Sequence, residues 1–557
     1  MKVILIADFT INNLSGYLKN DLLDLPIQTT IAPFNQVHQV LIDSSLECWS
    51  EKQEFAIAWT QPERVLKSFA SFINNEPIEI EVILAEVETF AQLLIKASER
   101  VETFFAVNWT IDLTLNYKGI VNTKSNHGIV DVVAKMNSLL ASILNNYPSM
   151  YVLDSTKWIA AAGKMAYSPK LWYLSKTPFH ATVFAQASKD ISSFIKNLRG
   201  IAKKLIITDL DNTLWGGVVG DIGSENLTLG GHNPLGEAFR DFQLAIKSIV
   251  NRGVVVAIAS KNEEAVAMNA IENHPEMVLR KKDFVAWRIN WDDKAKNILE
   301  IAQELNVGLD AILFLDDNPF ERERVRHALP DVLVPDLPSD PMLYKHFLLQ
   351  LDCFNSISST SEDLKRTEYY ALEKQRQESK SDFSSVDDWL HSIDIKVKCE
   401  KLNDANLQRI LQLLNKTNQM NLQTRRYSEM DLVNLSVENN QHFFSFKVKD
   451  NFGDAGLTGV IGLEIKNEVL YVTDFVLSCR VIGRKIEETM LSVAIDYAIE
   501  NGCKSVIAQY KESEKNKPCL DFFKTSGWKM NTNDFQWDVS QEFIRPYYVE
   551  LEMDERQ

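Results

Sequence analysis

The residues best suited to chemistry lie between Lys203 and Gly217, in the run KKLIITDLDNTLWGG. Its apolar stretch Leu205-Ile206-Ile207 leads to Asp209, with Asp211 and Thr213 at the next alternate positions. A short apolar run that stops at acids predicts a buried parallel strand. Its last residues then fall at the carboxyl edge of a sheet, where open α/β folds place their sites. The chain must turn after Leu210, so two carboxylates and a hydroxyl can converge on one small volume. Such a cluster is costly without a cation. Oxygen-only ligands suit Mg²⁺, which keeps several waters and binds one or two carboxylates plus a substrate phosphate. Two further buried strands are predicted. Val254–Ser260 ends in a hydroxyl and is followed by Lys261-Asn262; Ala311–Asp317 ends in the pair Asp316-Asp317. Between them lies Lys294, in Asn290-Trp291-Asp292-Asp293-Lys294.

Strand-end Asp, strand-end Ser, Lys and strand-end Asp, in that order, resemble the four motifs of the haloacid dehalogenase superfamily. The resemblance implies a role for each residue. Asp209 is the expected nucleophile on phosphorus, and Asp211 the acid that protonates the leaving group and then activates water. Ser260 and Lys294 are expected to hold the phosphoryl oxygens, with Thr213 and Asn262 as substrate contacts. Asp209, Asp211 (through its backbone carbonyl), Asp316 and Asp317 are the expected Mg²⁺ site. Lys296 is the alternative to Lys294. Lys294 is preferred because it follows Asn-Trp as the superfamily pattern does, which leaves Lys296 as an exposed helix residue. Arg322 and Arg324 are either contacts for a second anionic group or surface charges.

The elements that must position these residues belong to a long chain. At 557 residues, and with roughly 150 residues per domain as a prior, three or four domains are expected. The composition, 45% hydrophobic and 24% charged, is that of a globular protein. A net charge of −17 argues against non-specific nucleic-acid or anionic-membrane binding, which needs basic patches. No apolar run approaches the roughly eighteen residues of a membrane span. The start, MKVILIADFT, meets Asp8 too early for a signal peptide. Cys48, Cys353, Cys399, Cys479, Cys503 and Cys519 are scattered with no CxxC pair, which predicts a reduced, cytoplasmic protein with free thiols.

Residues 1–150 read as an α/β unit. Strands are expected at Val3–Ala7, Val82–Ala85 and Phe104–Asn108, and helical stretches at Gln61–Asn74 and Ile129–Asn146. Asp8, Asn35, Asn108 and Asp154 lie at strand ends or in loops. There is no Ser in a strand-to-helix turn and no His placed to serve one. The segment resembles a degenerate SGNH-hydrolase-like domain and is assigned no chemistry. Residues 151–200 are expected to bridge to the next domain, anchored by Trp158, Trp172 and Tyr173. Residues 201–350 form the phosphoryl-transfer domain. Residues 351–394 read as a charged helical linker.

Residues 395–557 carry a second group of candidates. Asn418 and Gln419, with Arg425 and Arg426, sit in a loop rich in amides and hydroxyls. Such groups suit a polyol or a pantetheine amide, or they satisfy the loop's own backbone. A strand over Val469–Ser478 leads through Cys479-Arg480-Val481-Ile482-Gly483-Arg484 to a helix over Ile486–Glu500. That order puts free amides at a helix N-terminus, suited to phosphate. It resembles the acyl-CoA site of GNAT acetyltransferases, with Arg480, Gly483 and Arg484 as ligand contacts. Cys479, at a strand end beside Arg480, reads either as a reactive thiol, for which it has the setting, or as a buried small hydrophobe, the commoner role of a lone cysteine.

Together TDLDNTLWGGVVGD, ASKN, NWDDKAKNI, FLDDNPFER, TNQMNLQTRRY and SCRVIGR resemble the FkbH-like proteins over essentially the whole chain. The implied fold is α/β in three domains: SGNH-like, a central parallel sheet of the haloacid dehalogenase type, and a GNAT-like α+β domain. The implied activity is capture of 1,3-bisphosphoglycerate, loss of its phosphates with Mg²⁺, and delivery of glycerate as a thioester to the phosphopantetheine of an acyl carrier protein. The alternative is a phosphatase of a small phosphorylated metabolite fused to a CoA-dependent acyltransferase acting on a sugar or amine. A non-catalytic scaffold is disfavoured by the intact Asp209, Asp211, Ser260, Lys294 and Asp316.

Overall fold

The computed structural model describes residues 1–115, 117–354, 366–380, 383–427, 429–438, 441–513, 515–531 and 534–554. They divide into two compact units: residues 1–193 with 427–432, and residues 194–426 with 433–557.

The first unit is built on five parallel strands: β1 (Lys2–Ala7), β2 (Gln28–Ile31), β3 (Phe55–Trp59), β4 (Thr103–Val107) and β5 (Met150–Leu153). Their order is β2-β1-β3-β4-β5. β1, β3 and β4 are near-continuous apolar runs because helices bury both faces. Ile4, Ile6, Ala56, Ala58, Phe104 and Ala106 pack against helices that include Ile80–Ser98 and Ile129–Leu144. The strand expected at Val82–Ala85 is instead part of the helix Ile80–Ser98. There Ile80, Ile83, Val87, Phe90, Ala91 and Leu94 recur at helical spacing and are buried; the local β-branched run loses to the longer period. Residues 151–193 are not a bridge. Tyr151 lies in β5, and Trp158, Phe179 and Phe184 pack with Phe9 around Trp59 at ring separations of 5.0–5.6 Å.

The second unit holds two sheets. The first is parallel, order β8-β7-β6-β9, from β6 (Leu205–Thr208), β7 (Val255–Ser260), β8 (Phe284–Ile289) and β9 (Ile312–Leu315). Alternation along these strands builds two cores. Ile206, Val256, Ile258 and Leu313 face Phe239, Phe242 and Ile246 of the helix Pro234–Val250. Leu205, Ile207, Val255 and Phe314 face Ile298 and Ile301 of the helix Lys294–Glu304. A strand covered on both faces needs apolar residues at every position, which is what Leu205–Ile207 supplies.

The second sheet has eight strands: β10 (Ile395–Lys401), β11 (Gln441–Asp450), β12 (Gly453–Lys466), β13 (Val469–Leu477), β14 (Ser505–Gln509), β15 (Lys529–Asn531), β16 (Asp534–Asp538) and β17 (Val549–Met553), in the order β15-β16-β14-β13-β12-β11-β10-β17. It is mixed: β13 runs parallel to β14 and β10 to β17, and the other pairs are antiparallel. The α+β architecture expected for this part is present, and the chain as a whole is a multi-domain α/β protein.

Among the described residues, no helix is long and apolar enough to cross a membrane. Cys48, Cys353, Cys399, Cys503 and Cys519 are free thiols.

Trp59 is 1% exposed at the centre of its aromatic cluster, so truncating it leaves a cavity that neighbouring rings cannot fill. Trp59→Ala should destabilise the first unit by about 3–5 kcal/mol, read as a lowered denaturation midpoint by tryptophan-independent circular dichroism.

Candidate functional site

The carboxyl ends of β6, β7 and β9 bring the expected phosphoryl-transfer residues together. Asp209 follows β6, Ser260 ends β7 and Asp316 follows β9. Lys294 opens its helix behind Asp293, whose carboxylate caps it by accepting from the amides of Ala295 (2.9 Å) and Lys296 (3.3 Å). The Lys294 Nζ reaches Asp209 Oδ2 at 2.8 Å and Asp316 Oδ2 at 2.6 Å. All three are at least nine-tenths buried. Burial opposes the Lys294 charge, but Asp209 and Asp316 outweigh it and hold the ammonium above its ordinary pKa. Burial, then the Asp209 charge, pushes Asp316 up to about 7 against the pull of Lys294. Asp317 is raised by the same two causes. Lys296 is exposed and pairs with Asp292 at 2.8 Å, outside the site as expected.

Carboxylate oxygens of Asp209, Asp316 and Asp317 lie within 4.8 Å of one another. Asp209 Oδ1 and Ser260 Oγ are buried with no hydrogen-bond partner. Buried polar atoms in native proteins are almost always paired, so these two are open to a ligand. The Asp211 carboxylate is not in the metal group. It accepts from Trp215 Nε1 (2.8 Å), the Val219 amide (3.1 Å) and Asn262 Nδ2 (2.7 Å). Three donors hold it outside that group of oxygens.

Two expected substrate contacts have other employment. Asn262 is 3% exposed and orients Asp211. Thr213 is fully buried; its hydroxyl donates to Asp317 Oδ1 (3.3 Å) and accepts from the Asp317 amide (3.1 Å), so it ties the two strand ends together. Arg322 is a buried clasp on the Asp316 and Asp317 carbonyls (2.8 and 2.7 Å). Arg324 pairs with Asp293 at the surface. Trp215 was legible only as an apolar residue; its indole N–H on Asp211 depends on a turn. Asn212 takes the left-handed conformation (φ 53°) there and its side chain accepts from the Gly217 amide at 2.9 Å, a conformation Asn tolerates well.

A second concave region lies at the opposite edge of the same parallel sheet. A cavity of about 190 Å³ is lined by Asn418, Gln419, Ser478 and Arg480, together with Lys204, which precedes β6, and Asp310, which precedes β9. Arg409, Lys416 and Lys515 also line it, so cations outnumber acids. Cys479 stands between two lining residues; its side chain lies outside the described residues. Arg480 stacks over the Tyr369 ring at 4.4 Å. Arg426 does not line the cavity. It donates to the Leu414 carbonyl (2.7 Å) and to Asn418 Oδ1, holding the loop from below. Burial and the nearby Arg199 bring it down to about 10.

Arg484 and Gly483 are also committed internally. Arg484 is 3% exposed and donates to Asp450 (3.3 Å), the Arg480 carbonyl (2.5 Å) and Glu373. Arg376 grips the same Asp450 with two bonds of 2.7 and 2.8 Å. Arg484 is therefore a structural cation, not a phosphate contact. The Gly483 amide donates to Glu487 Oε1 at 2.8 Å, so an internal carboxylate takes the place an anion would take at this helix start. The gap beyond the β13–β14 pairing, which covers only Val469–Val472 and Ser505–Ala508, is filled too. Leu422 N donates to the Phe475 carbonyl, Leu477 N to Met420, and Lys511 N to Leu422, each at 3.0 Å.

A sequence model of the family described as "FkbH, N-terminal domain" matches residues 3–196. The crystal structure of the N-terminal part of protein BF1531 from Bacteroides fragilis, containing a phosphatase domain complexed with Mg, is 30% identical, with a TM-score of 0.59; the match covers 64% of this chain and 94% of that one. The chain belongs to the FkbH-like family. It is an enzyme. None of the curated proteins matches it. A GNAT-family acetyltransferase from Staphylococcus aureus Mu50 is 12% identical over 26% of this chain and 99% of that one, with a TM-score of 0.20. A PaiA N-acetyltransferase from Thermoplasma acidophilum in complex with coenzyme A is 17% identical over 26% and 98%, also at 0.20. Likenesses at that level decide nothing about this FkbH-like chain.

Removing one partner of a buried ion pair leaves the others uncompensated. Asp450→Ala, which strands Arg376 and Arg484, should cost about 3–5 kcal/mol, seen as a lower denaturant midpoint; Asp450→Asn should cost less because it keeps the acceptor oxygen.

Proposed function

We propose that this FkbH-like enzyme removes phosphate from a phosphorylated three-carbon acid at the Asp209 site and passes the acyl group to a carrier-protein thiol at the basic cavity. The observation that carries the first half is the Lys294 bridge between Asp209 and Asp316 beside the unpartnered Asp209 Oδ1 and Ser260 Oγ. A Mg²⁺ ion fits there: three carboxylates against one ammonium leave excess negative charge, the donors are all oxygen, and one oxygen is free. Asp209, Asp316 and Asp317 would hold it, with the Asp211 backbone carbonyl as the further expected ligand. When bound, it supplies positive charge opposite the phosphoryl oxygens.

The chain's own residues then have these tasks. Asp209 attacks phosphorus, and the bond to the leaving oxygen breaks as Asp211 gives that oxygen a proton. Asp211 next takes a proton from water, which attacks the aspartyl-phosphate and releases phosphate and free Asp209. Trp215, the Val219 amide and Asn262 aim Asp211 for both transfers. Lys294 and Ser260 bind the phosphoryl oxygens. Residues 201–350 would carry this chemistry and residues 395–557 the acyl transfer, joined by residues 351–394.

For the second half, the substrate expected from the family is 1,3-bisphosphoglycerate. A thiolate attacks its acyl carbon, the acyl phosphate leaves, and a 3-phosphoglyceryl thioester forms, either on Cys479 and then the carrier's phosphopantetheine or on the latter directly. Hydrolysis of the remaining phosphate ester at the Asp209 site then leaves the glyceryl thioester. The cations of the cavity suit a phosphorylated substrate and give an acidic protein a docking patch for an acidic carrier. The alternative, transfer from acyl-CoA to a sugar or amine, is less well supported. Glu487 already occupies the Gly483 amide, and residues 420–422 already use the backbone groups beyond the β13–β14 pair, so a CoA pyrophosphate and pantetheine would have to displace both.

The deciding experiment mixes enzyme, Mg²⁺, a 1,3-bisphosphoglycerate-generating system and a holo carrier protein from the same genome, followed by intact-protein mass spectrometry. A glyceryl-sized gain on the carrier is expected. Phosphate release without an adduct on carrier or enzyme would overturn carrier loading in favour of a separate CoA-dependent reaction. Chelation with EDTA should abolish phosphate release, and added Mg²⁺ should restore it. Asp209→Asn should lower phosphate release by at least about a thousandfold, since the nucleophile is lost, with an unchanged circular dichroism spectrum. Cys479→Ser should spare hydrolysis of a simple phosphate ester and stop loading; near wild-type loading by this variant would exclude the route through Cys479.

A further inference from the structure

The first unit contains a cavity that the phosphoryl and acyl chemistry does not use. Strand order reverses direction between β1 and β3, and at such a switch point the loops leaving the two carboxyl ends part and open a crevice. Asp8 follows β1 and Gln61 follows β3 by two residues. Next to this crevice, beyond the carboxyl ends of β3 and β4, lies a cavity of about 370 Å³, lined by Gln61, Glu63, Asp112, Tyr117, Tyr167 and Trp172 among others. Asp8 sits behind this wall, 2% exposed. Its Oδ2 accepts from the Gln61 amide at 3.0 Å, while its Oδ1 has no partner. Gln61 Oε1 is buried without a partner as well, and the Tyr167 hydroxyl meets only Thr110. Two orphaned oxygens and an under-used phenol beside one cavity call for an explanation, because buried groups of this kind are paired in nearly all native structures.

The chemistry of the wall narrows the occupant. Arg64 is the cation among the described lining residues. It is already held by Asn35 Oδ1 (2.6 Å) and the face of Trp172 (5.1 Å). Glu63 and Asp112 stand against it, which disfavours a phosphate or carboxylate. An ammonium group could only donate, and it would share the cavity with the guanidinium. Hydroxyl groups both donate and accept. They can therefore satisfy both the Gln61 amide oxygen and the Tyr167 phenol. The rings of Tyr117 and Trp172 offer apolar surface to C–H groups. We infer that this cavity, built on Gln61 and Tyr167, is a binding site for a neutral polyhydroxylated small molecule of the sugar or polyol class. The site is separate from the phosphorylated substrate of the Asp209 site and does not depend on that assignment.

Saturation-transfer NMR on the full chain tests it, with D-glucose, N-acetyl-D-glucosamine and myo-inositol as neutral probes and glycerol 3-phosphate and choline as charged ones. At least one neutral probe should receive saturation from the wild-type protein. Gln61→Leu and Tyr167→Phe should each weaken that transfer at least fivefold, with an unchanged melting temperature and unchanged phosphate release from p-nitrophenyl phosphate. The melting temperature should hold because Gln61 Oε1 makes no bond in the free protein and the Tyr167 hydroxyl meets only Thr110. Transfer equal in wild type and variants, transfer confined to the charged probes, or no transfer from any neutral probe would each overturn the assignment.

Discussion

One ammonium group shared between two buried carboxylates is the constraint on which the central sheet is organised. Asp209 and Asp316 stand at the ends of adjacent strands, and like charges so close and so buried cannot both be ionised unless a cation lies between them. Lys294 supplies it. Asp317 adds a third acid nearby, so the group still carries surplus negative charge. The surplus suits a divalent cation, and it sets what the surrounding residues must do. Thr213 and Arg322 lock the Asp316-Asp317 strand end. Trp215 and Asn262 hold the Asp211 carboxylate by hydrogen bonds of their own.

The strands act as rulers between the two concave regions. Asp209 follows β6 and Lys204 precedes it. Five residues at about 3.3 Å each put the acidic cluster and the basic cavity roughly 16 Å apart on opposite edges of one sheet. Under the proposed function the two chemistries would have separate surroundings, one acidic, the other basic. An acyl group loaded at one edge would have to leave that edge for the other, which a long flexible thiol arm is suited to do. The eight-stranded sheet contributes to the basic cavity through the loop at Asn418 and the end of β13, while closing its own β13–β14 gap with residues 420–422.

Much of the phosphoryl site was legible because its determinants are local and repeated. Each motif is an apolar run three to six residues long ending in a polar group, and a strand buried on both faces allows little else. The Val82–Ala85 segment shows the limit of the same reasoning. Four residues match a strand, yet the next twelve extend a helical stripe, and the longer buried face wins. β2 (Gln28–Ile31) is an edge strand with polar, partly exposed residues, so it has no apolar run to announce it.

By itself the sequence determined the acids, the serine and the lysine of the phosphoryl site, their order, and the strands and helix that carry them, because periodicity and capping act over a few residues. Only the tertiary structure decided which polar groups are free to react. Arg484 looked like a phosphate contact, but Asp450, 34 residues before it, and Glu373, 111 before it, claim its guanidinium. Asn262 and Thr213 looked like substrate contacts, but Asp211 and Asp317 claim them from 51 and 104 residues away. A buried charge or amide must find its partner wherever the chain happens to bring one, and that pairing leaves no mark in the local pattern. The same holds in reverse for Asp8 and Gln61, whose unpaired oxygens became visible only when the fold had buried them.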